Sequence, residues 1–146
     1  VVSLRFLLDA NVLSEPLKLV PHPAVLAQVE EYRALSATAS PVWNELVYGC
    51  RLLPQSKRRR TIEQYLWGTL APVLSILSYD TRAAEHHAAE RARLGLAGKT
   101  PPFVDGQIAA IAVTNDLTLV TRNEDDFEAF EGLRIQNWWK SRPPLL

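Results

Sequence analysis

Four acids, widely separated along the chain, are placed to do chemistry: Asp9, Glu45, Asp105 and Asp126. Each has a bland reading on its own. Asp9 is a favoured residue type for capping the helix that follows it, and Glu45 is a favourable charge near a helix N-terminus. Brought into one crevice, however, four carboxylates cannot all ionise without a cation, because like charges raise each other's pKa. An oxygen-rich site with a single cysteine and three histidines in the whole chain selects hard cations, Mg²⁺ or Mn²⁺. Such ions clamp phosphate oxygens and turn water into a nucleophile, so the chemistry implied is metal-dependent phosphodiester hydrolysis. Competing chemistries lack their residues. There is no Gly-rich phosphate loop ending in Gly-Lys-Ser or Gly-Lys-Thr, and no Gly-x-Ser-x-Gly. Asp9-Ala10-Asn11 lacks the second acid of a paired-Asp phosphatase. A phospho-accepting receiver pocket needs a lysine at a late strand end, and Lys140 lies in the tail.

The elements that must position these acids alternate between strand and helix, which predicts a parallel sheet with helices on both faces. Phe6-Leu7-Leu8 reads as a buried first strand ending at Asp9. A short helix or turn over 11–18 and a helix opened by Pro21-His22-Pro23 follow, with Val25, Val29, Tyr32 and Leu35 as its apolar stripe. The segment 35–40 is a second strand. Ser40 then caps a helix with Pro41 just inside it, carrying Glu45. The basic run Lys57-Arg58-Arg59-Arg60 is either a solvated helix face or a phosphate-contacting patch. Residues 72–77 form a third strand. Asp80 caps an alanine-rich helix on which His86 and His87 point about 100° apart and are expected at the surface or an interface. Asp105 stands in the first turn of a helix kept thin by Gly106 and alanines, suited to close packing on a sheet. Residues 117–121 and 133–136 are the last strands, with Asp126 between them. The tail from Trp138-Trp139 to Pro143-Pro144 is expected as a surface flap. In an open parallel sheet, ligands bind beyond the carboxyl ends of the strands. Asp9, Glu45 and Asp126 fall there, and Asp105 does so if its helix runs back down to feed the fourth strand.

Composition agrees with one α/β domain over 1–146. The chain has 146 residues, 47% of them apolar and 22% charged, enough to bury a real core. Its formal net charge is zero, so a nucleic-acid partner has to be held by a local patch or a metal. The lone Cys50 leaves no internal disulfide or CxxC zinc pair and reads as a small core residue. No membrane-length apolar run or signal peptide is visible, and the expectation is a soluble cytoplasmic protein.

Four stretches together are familiar: 7–15 (Leu-Leu-Asp-Ala-Asn-Val-Leu-Ser-Glu), 44–49 (Asn-Glu-Leu-Val-Tyr-Gly), 104–110 (Val-Asp-Gly-Gln-Ile-Ala-Ala) and 120–127 (Val-Thr-Arg-Asn-Glu-Asp-Asp-Phe). They resemble the PIN-domain ribonucleases, specifically the VapC/FitB-like toxins of bacterial type II toxin–antitoxin pairs. The resemblance extends through Leu133-Arg134-Ile135-Gln136-Asn137-Trp138. It implies an α/β/α sandwich on a central parallel sheet, with acids around one or two Mg²⁺ or Mn²⁺ ions cleaving RNA. By position the acids are Asp9, Glu45, Asp105 and Asp126, the last rather than Asp125 because it precedes Phe127. Asn123, Asn11 and Thr121 are implied as polar support. Arg58, Arg59 and Arg122 are candidate RNA contacts. The resemblance also implies a VapB/FitA-like antitoxin partner, a homodimer, hetero-oligomeric assembly with the antitoxin, and DNA contact only through that antitoxin. Its alternative is a FitB-like module acting mainly through a DNA-binding antitoxin complex, with weak or no ribonuclease activity. One residue departs from the pattern: Ala10 stands where relatives usually carry threonine.

Overall fold

The structure, a computed structural model, describes residues 3–140. Five strands form one all-parallel sheet in the order β3-β2-β1-β4-β5: β1 Phe6–Leu8, β2 Ser36–Ala39, β3 Ser75–Leu77, β4 Thr118–Val120 and β5 Ile135–Gln136. Helices cover both faces, as the alternating pattern predicts. All three residues of β1 are buried, which is why that strand shows no apolar–polar alternation. The chain leaves β1 toward β2 on one side and returns as β4 on the other. The switch point of the sheet is therefore at the carboxyl end of β1, and Asp9 is the next residue.

Around the sheet are α1 (Ala10–Leu13), α2 (Pro23–Glu31), α3 (Ser40–Leu52), α4 (Lys57–Glu63), α5 (Thr81–Leu96), α6 (Phe103–Thr114) and α7 (Glu124–Phe127). Directly after α4 the chain widens into a π-type segment over Gln64–Leu70. There the Tyr65 hydroxyl donates to the Leu13 carbonyl and ties this segment to α1. α5 and α6 form an antiparallel hairpin. Arg82 reaches the Thr114 carbonyl at one end, and Arg91 lies over the Phe103 ring at the other. Asp80 caps α5 through Ala83 N–H. Cys50 is buried, as expected.

Four local expectations are corrected. Ser40 does not cap α3: it is the first helical residue, following β2 with no intervening loop, and its hydroxyl accepts from Tyr79 N–H across the chain. The third strand is shorter than 72–77, beginning at Ser75 after a turn. His87 is not at the surface; it is buried between α5 and α6, so the close approach at Gly106 is to a histidine ring and not to the sheet. Trp138 is no surface flap. It is 1% exposed and packs edge-on against Phe6, with Tyr32 touching both rings in a three-ring cluster. The Gln28 amide donates to its carbonyl. The remainder of the expected flap, from 141 onward, lies outside the described residues.

Candidate active site

The four acids meet in one open cleft of about 640 Å³ at the carboxyl edge of the sheet. The sheet itself sets the innermost one. Asp9 N–H donates to the Val120 carbonyl, extending the β1–β4 pairing one residue past the strand. That register puts Asp9 beside Thr121, whose hydroxyl donates to Asp9 Oδ2 at 2.7 Å. Asp9 Oδ1 accepts from Ala10 N–H at 2.8 Å, so the acid is a helix cap and a cleft residue at once. Thr121 Oγ1 in turn accepts from Asn123 N–H and from the Asn11 amide. Asn11 Oδ1 accepts from Arg122 N–H. Thus Asn11, Thr121 and Asn123 form one hydrogen-bonded support behind Asp9. Ala10 contributes no hydroxyl to the cleft wall, and the hydroxyl on Asp9 comes from Thr121.

The other three acids arrive from helices. Glu45 stands in the second turn of α3, on the exposed side of the cleft. Asp105 lies in the first turn of α6 and is half-buried. Asp126 is presented by the four-residue α7, which Phe127 anchors in the core. That anchor separates the two neighbouring acids: Asp126 lines the cleft, whereas Asp125 faces Lys140. Ser14 and Tyr48 also line the cleft and were not anticipated. Tyr48 follows Asn44 by one helical turn, so the spacing of the Asn44–Tyr48 pair was the available signal.

Electrostatics follow from this crowding. Asp105 is pushed up to about 6, first by burial and then by Asp126, Asp9 and Glu45. Burial also raises Asp9; its bonds from Thr121 and Ala10 pull the other way and Asp126 pushes it further up. Glu45 is raised by burial and by Asp9. Three carboxylates are thus held in conditions that disfavour their charge. The donors are all hard oxygens, and this chemistry fits a divalent cation such as Mg²⁺ or Mn²⁺. Among the described residues no three acid, histidine or cysteine side chains already stand close enough to share one ion. The fit therefore rests on donor type and on charge, with the acids spread around the cleft walls.

The expected cationic residues part company. Arg58 is exposed and lines a groove that opens off the cleft beside Ser14, Lys18 and Glu45. Arg59 turns inward: Nη1 donates to the Leu53 carbonyl and Nε lies 3.4 Å from Glu63, tying α4 to the end of α3. Arg122 is exposed, with its guanidinium over the Trp139 ring.

The Thr121 hydroxyl gives a first prediction. Thr121→Val keeps the shape but strips a donor from a buried carboxylate. Leaving such a group short of a partner costs about 1–3 kcal/mol. Urea unfolding is expected to show that loss, and an unchanged midpoint would refute the support role.

The PIN domain family model matches residues 6–133. VapC ribonuclease Y4jK of Sinorhizobium fredii is 35% identical over 136 residues, covering 91% of this chain and 96% of the relative. Toxin FitB of Neisseria gonorrhoeae is 31% identical, covering 90% and 97%. The crystal structure of FitAcB from the same organism superimposes with a TM-score of 0.84 over 92% of this chain and 98% of that one, at 31% identity. DNA-bound VapBC from Salmonella typhimurium gives 0.80, at 30% identity, over 92% and 98%. The sheet order, the acids at its carboxyl edge and these matches agree: the chain belongs to the PIN domain family.

Proposed function

We propose that this chain is a metal-dependent endoribonuclease and the toxin of a type II toxin–antitoxin pair, acting on cytoplasmic RNA. The observation that carries the reading is the gathering of Asp9, Glu45, Asp105 and Asp126, from four separate elements, in one open cleft. The names of the relatives support it: one is a VapC ribonuclease, another the toxin FitB. Asp9, Asp105, Glu45 and Asp126 would hold Mg²⁺ or Mn²⁺. A bound ion supplies positive charge for the phosphate oxygens and acidity for the attacking water. The chain itself supplies the rest. Thr121 and Ala10 N–H fix the Asp9 carboxylate. Asn123 and Asn11 add polar lining beside Asp9, in a cleft that opens to solvent. Arg58 and Arg122, both exposed, are the proposed phosphate contacts; such contacts position a nucleic acid without reading its sequence. Arg59 is proposed only as a support for α4.

A partner antitoxin and a second copy of the chain are the proposed assembly, with DNA contacted through the antitoxin. FitAcB and DNA-bound VapBC are complexes by their names. Tyr48 on α3 and Val73 carry exposed apolar side chains, 63% and 65% exposed, which a partner would cover.

The test is cleavage of a mixed RNA pool by the purified chain with Mn²⁺ and with a chelator. Discrete products with Mn²⁺ alone are expected. No cleavage with Mn²⁺, together with tight DNA binding by the chain and its antitoxin, would replace this reading with that of a DNA-complex module.

A further inference from the structure

We propose that His87 is a positioning residue for Asp105, acting by seating the first turn of α6 through its ring's contact with Gly106. The turn Phe103–Gly106 is held from α5, by His87 against Phe103 and Gly106 and by Arg91 over Phe103. Its capping position is Pro102, which makes no side-chain cap. Phe103 and Val104 are exposed, 50% and 46%. Gly106 is the buried residue of the turn. It lies directly on His87: a Cβ built there would fall 2.2 Å from Nε2 and 2.6 Å from Cδ2. No side chain fits at that distance, so glycine here serves close approach and not a special backbone angle.

The ring that receives Gly106 is itself immobilised. His87 is 2% exposed. Its Nδ1 is 2.8 Å from the Tyr79 hydroxyl. Phe103 packs edge-on to it at 4.7 Å, and Arg91 covers the Phe103 ring at 4.9 Å. Tyr79 comes from the segment after β3, and its own N–H donates to Ser40 at the start of α3. The contact therefore links the helix bearing Asp105 to the helix bearing Glu45 through the His87 ring and Tyr79. Packed interiors transmit such displacements because they have little free space to absorb them. Asp105, between Phe103 and Gly106 in sequence, is placed by contacts on either side of it.

The test compares His87→Ala, Gly106→Ala and the double variant with the natural chain. In His87→Ala, folded by circular dichroism, the amides that close the first turn of α6, beginning with Gly106 N–H on the Pro102 carbonyl, are expected to exchange hydrogen at least about tenfold faster, while those of Ile111–Thr114 are unchanged. Cleavage of RNA should lose about tenfold or more in kcat with KM nearly constant, the signature of misplaced reacting groups. The double variant should cleave faster than Gly106→Ala, since removing the ring vacates the space the new methyl needs; independent effects would simply add. The cleavage measurements rest on the nuclease reading, and the exchange measurement does not. A natural chain inert toward RNA sinks that reading and leaves exchange to decide this one. Folded His87→Ala with unchanged first-turn exchange, or Gly106→Ala with full activity, overturns the proposal.

Discussion

Asp105→Asn is expected to abolish RNA cleavage while raising the melting temperature of the metal-free protein. Both effects come from the same crowding. Asp105 is held near pKa 6 by burial and by three neighbouring acids. At neutral pH it is ionised in a place that disfavours its charge, and that cost falls on the folded state alone. The first turn of α6 is a favourable place for a negative charge, by about 0.3–1 kcal/mol at most. The net upward displacement of Asp105 shows that burial and repulsion outweigh it. Asparagine keeps the size and removes the charge, so folding gains. The proposed cation loses one hard anionic donor, and with it transition-state stabilisation of several kcal/mol, about a thousandfold in rate. Asp9→Asn should abolish cleavage as fully. Its stability gain is harder to isolate, because Thr121 and Ala10 N–H already compensate that carboxylate. Thermal melts in chelator beside cleavage assays in Mn²⁺ check both halves. Cleavage by Asp105→Asn at the natural rate would contradict the placement of this acid in the reaction, and a metal-free melting point below the parent's would contradict its electrostatic cost to the fold.

The sequence makes Asp9 legible because an unbroken apolar run stops at an acid, as a strand buried on both faces of a parallel sheet is written. Asp126 is legible over Asp125 because Phe127 must enter the core, which fixes which acid turns to the cleft. What could not be read depends on meetings between distant residues. Histidine is seldom fully buried, and the burial of His87 needs a glycine 19 positions away to leave room. Trp138 next to Trp139 and before two prolines resembles a loose end; its place in the core is decided by Phe6 and Tyr32. Ser40-Pro41 has the composition of a helix cap, but β2 passes straight into α3 and the serine is already helical, so Tyr79 takes its hydroxyl. Arg59 sits in a basic run; Glu63 lies one helical turn further along α4, but only the turn between α3 and α4 aims the guanidinium back at the Leu53 carbonyl.

Stabilisation by Mn²⁺ is expected to be large at pH 7.5 and small at pH 5. Asp105 has a folded pKa of about 6, against 3.8 for an ordinary aspartate. Between those values the folded state binds more protons than the unfolded one, so this acid's contribution to stability falls as pH rises through the window. Asp9 and Glu45 are displaced in the same direction and add to it. Above pH 6 the full repulsion is present, and a divalent cation relieves it. Near pH 5 Asp105 holds its proton, and an ion must displace it to bind. Two other classes of group do not confuse the comparison. His87 is lowered by burial, so its contribution is full at high pH and lost as pH falls; it is present with and without the ion and cancels in the difference. Glu15, Glu90 and Glu124 are lowered below the usual glutamate value, and their contributions are lost only at more acid pH. At a hundredfold excess over its Kd, a ligand stabilises by about 2.7 kcal/mol. For a chain of this size that corresponds to roughly 5–10 °C in melting temperature. The increment should shrink severalfold at pH 5, and it should shrink at pH 7.5 in Asp105→Asn. Equal increments at both pH values, or in both proteins, would mean that Mn²⁺ binds elsewhere and that the four acids do not share an ion.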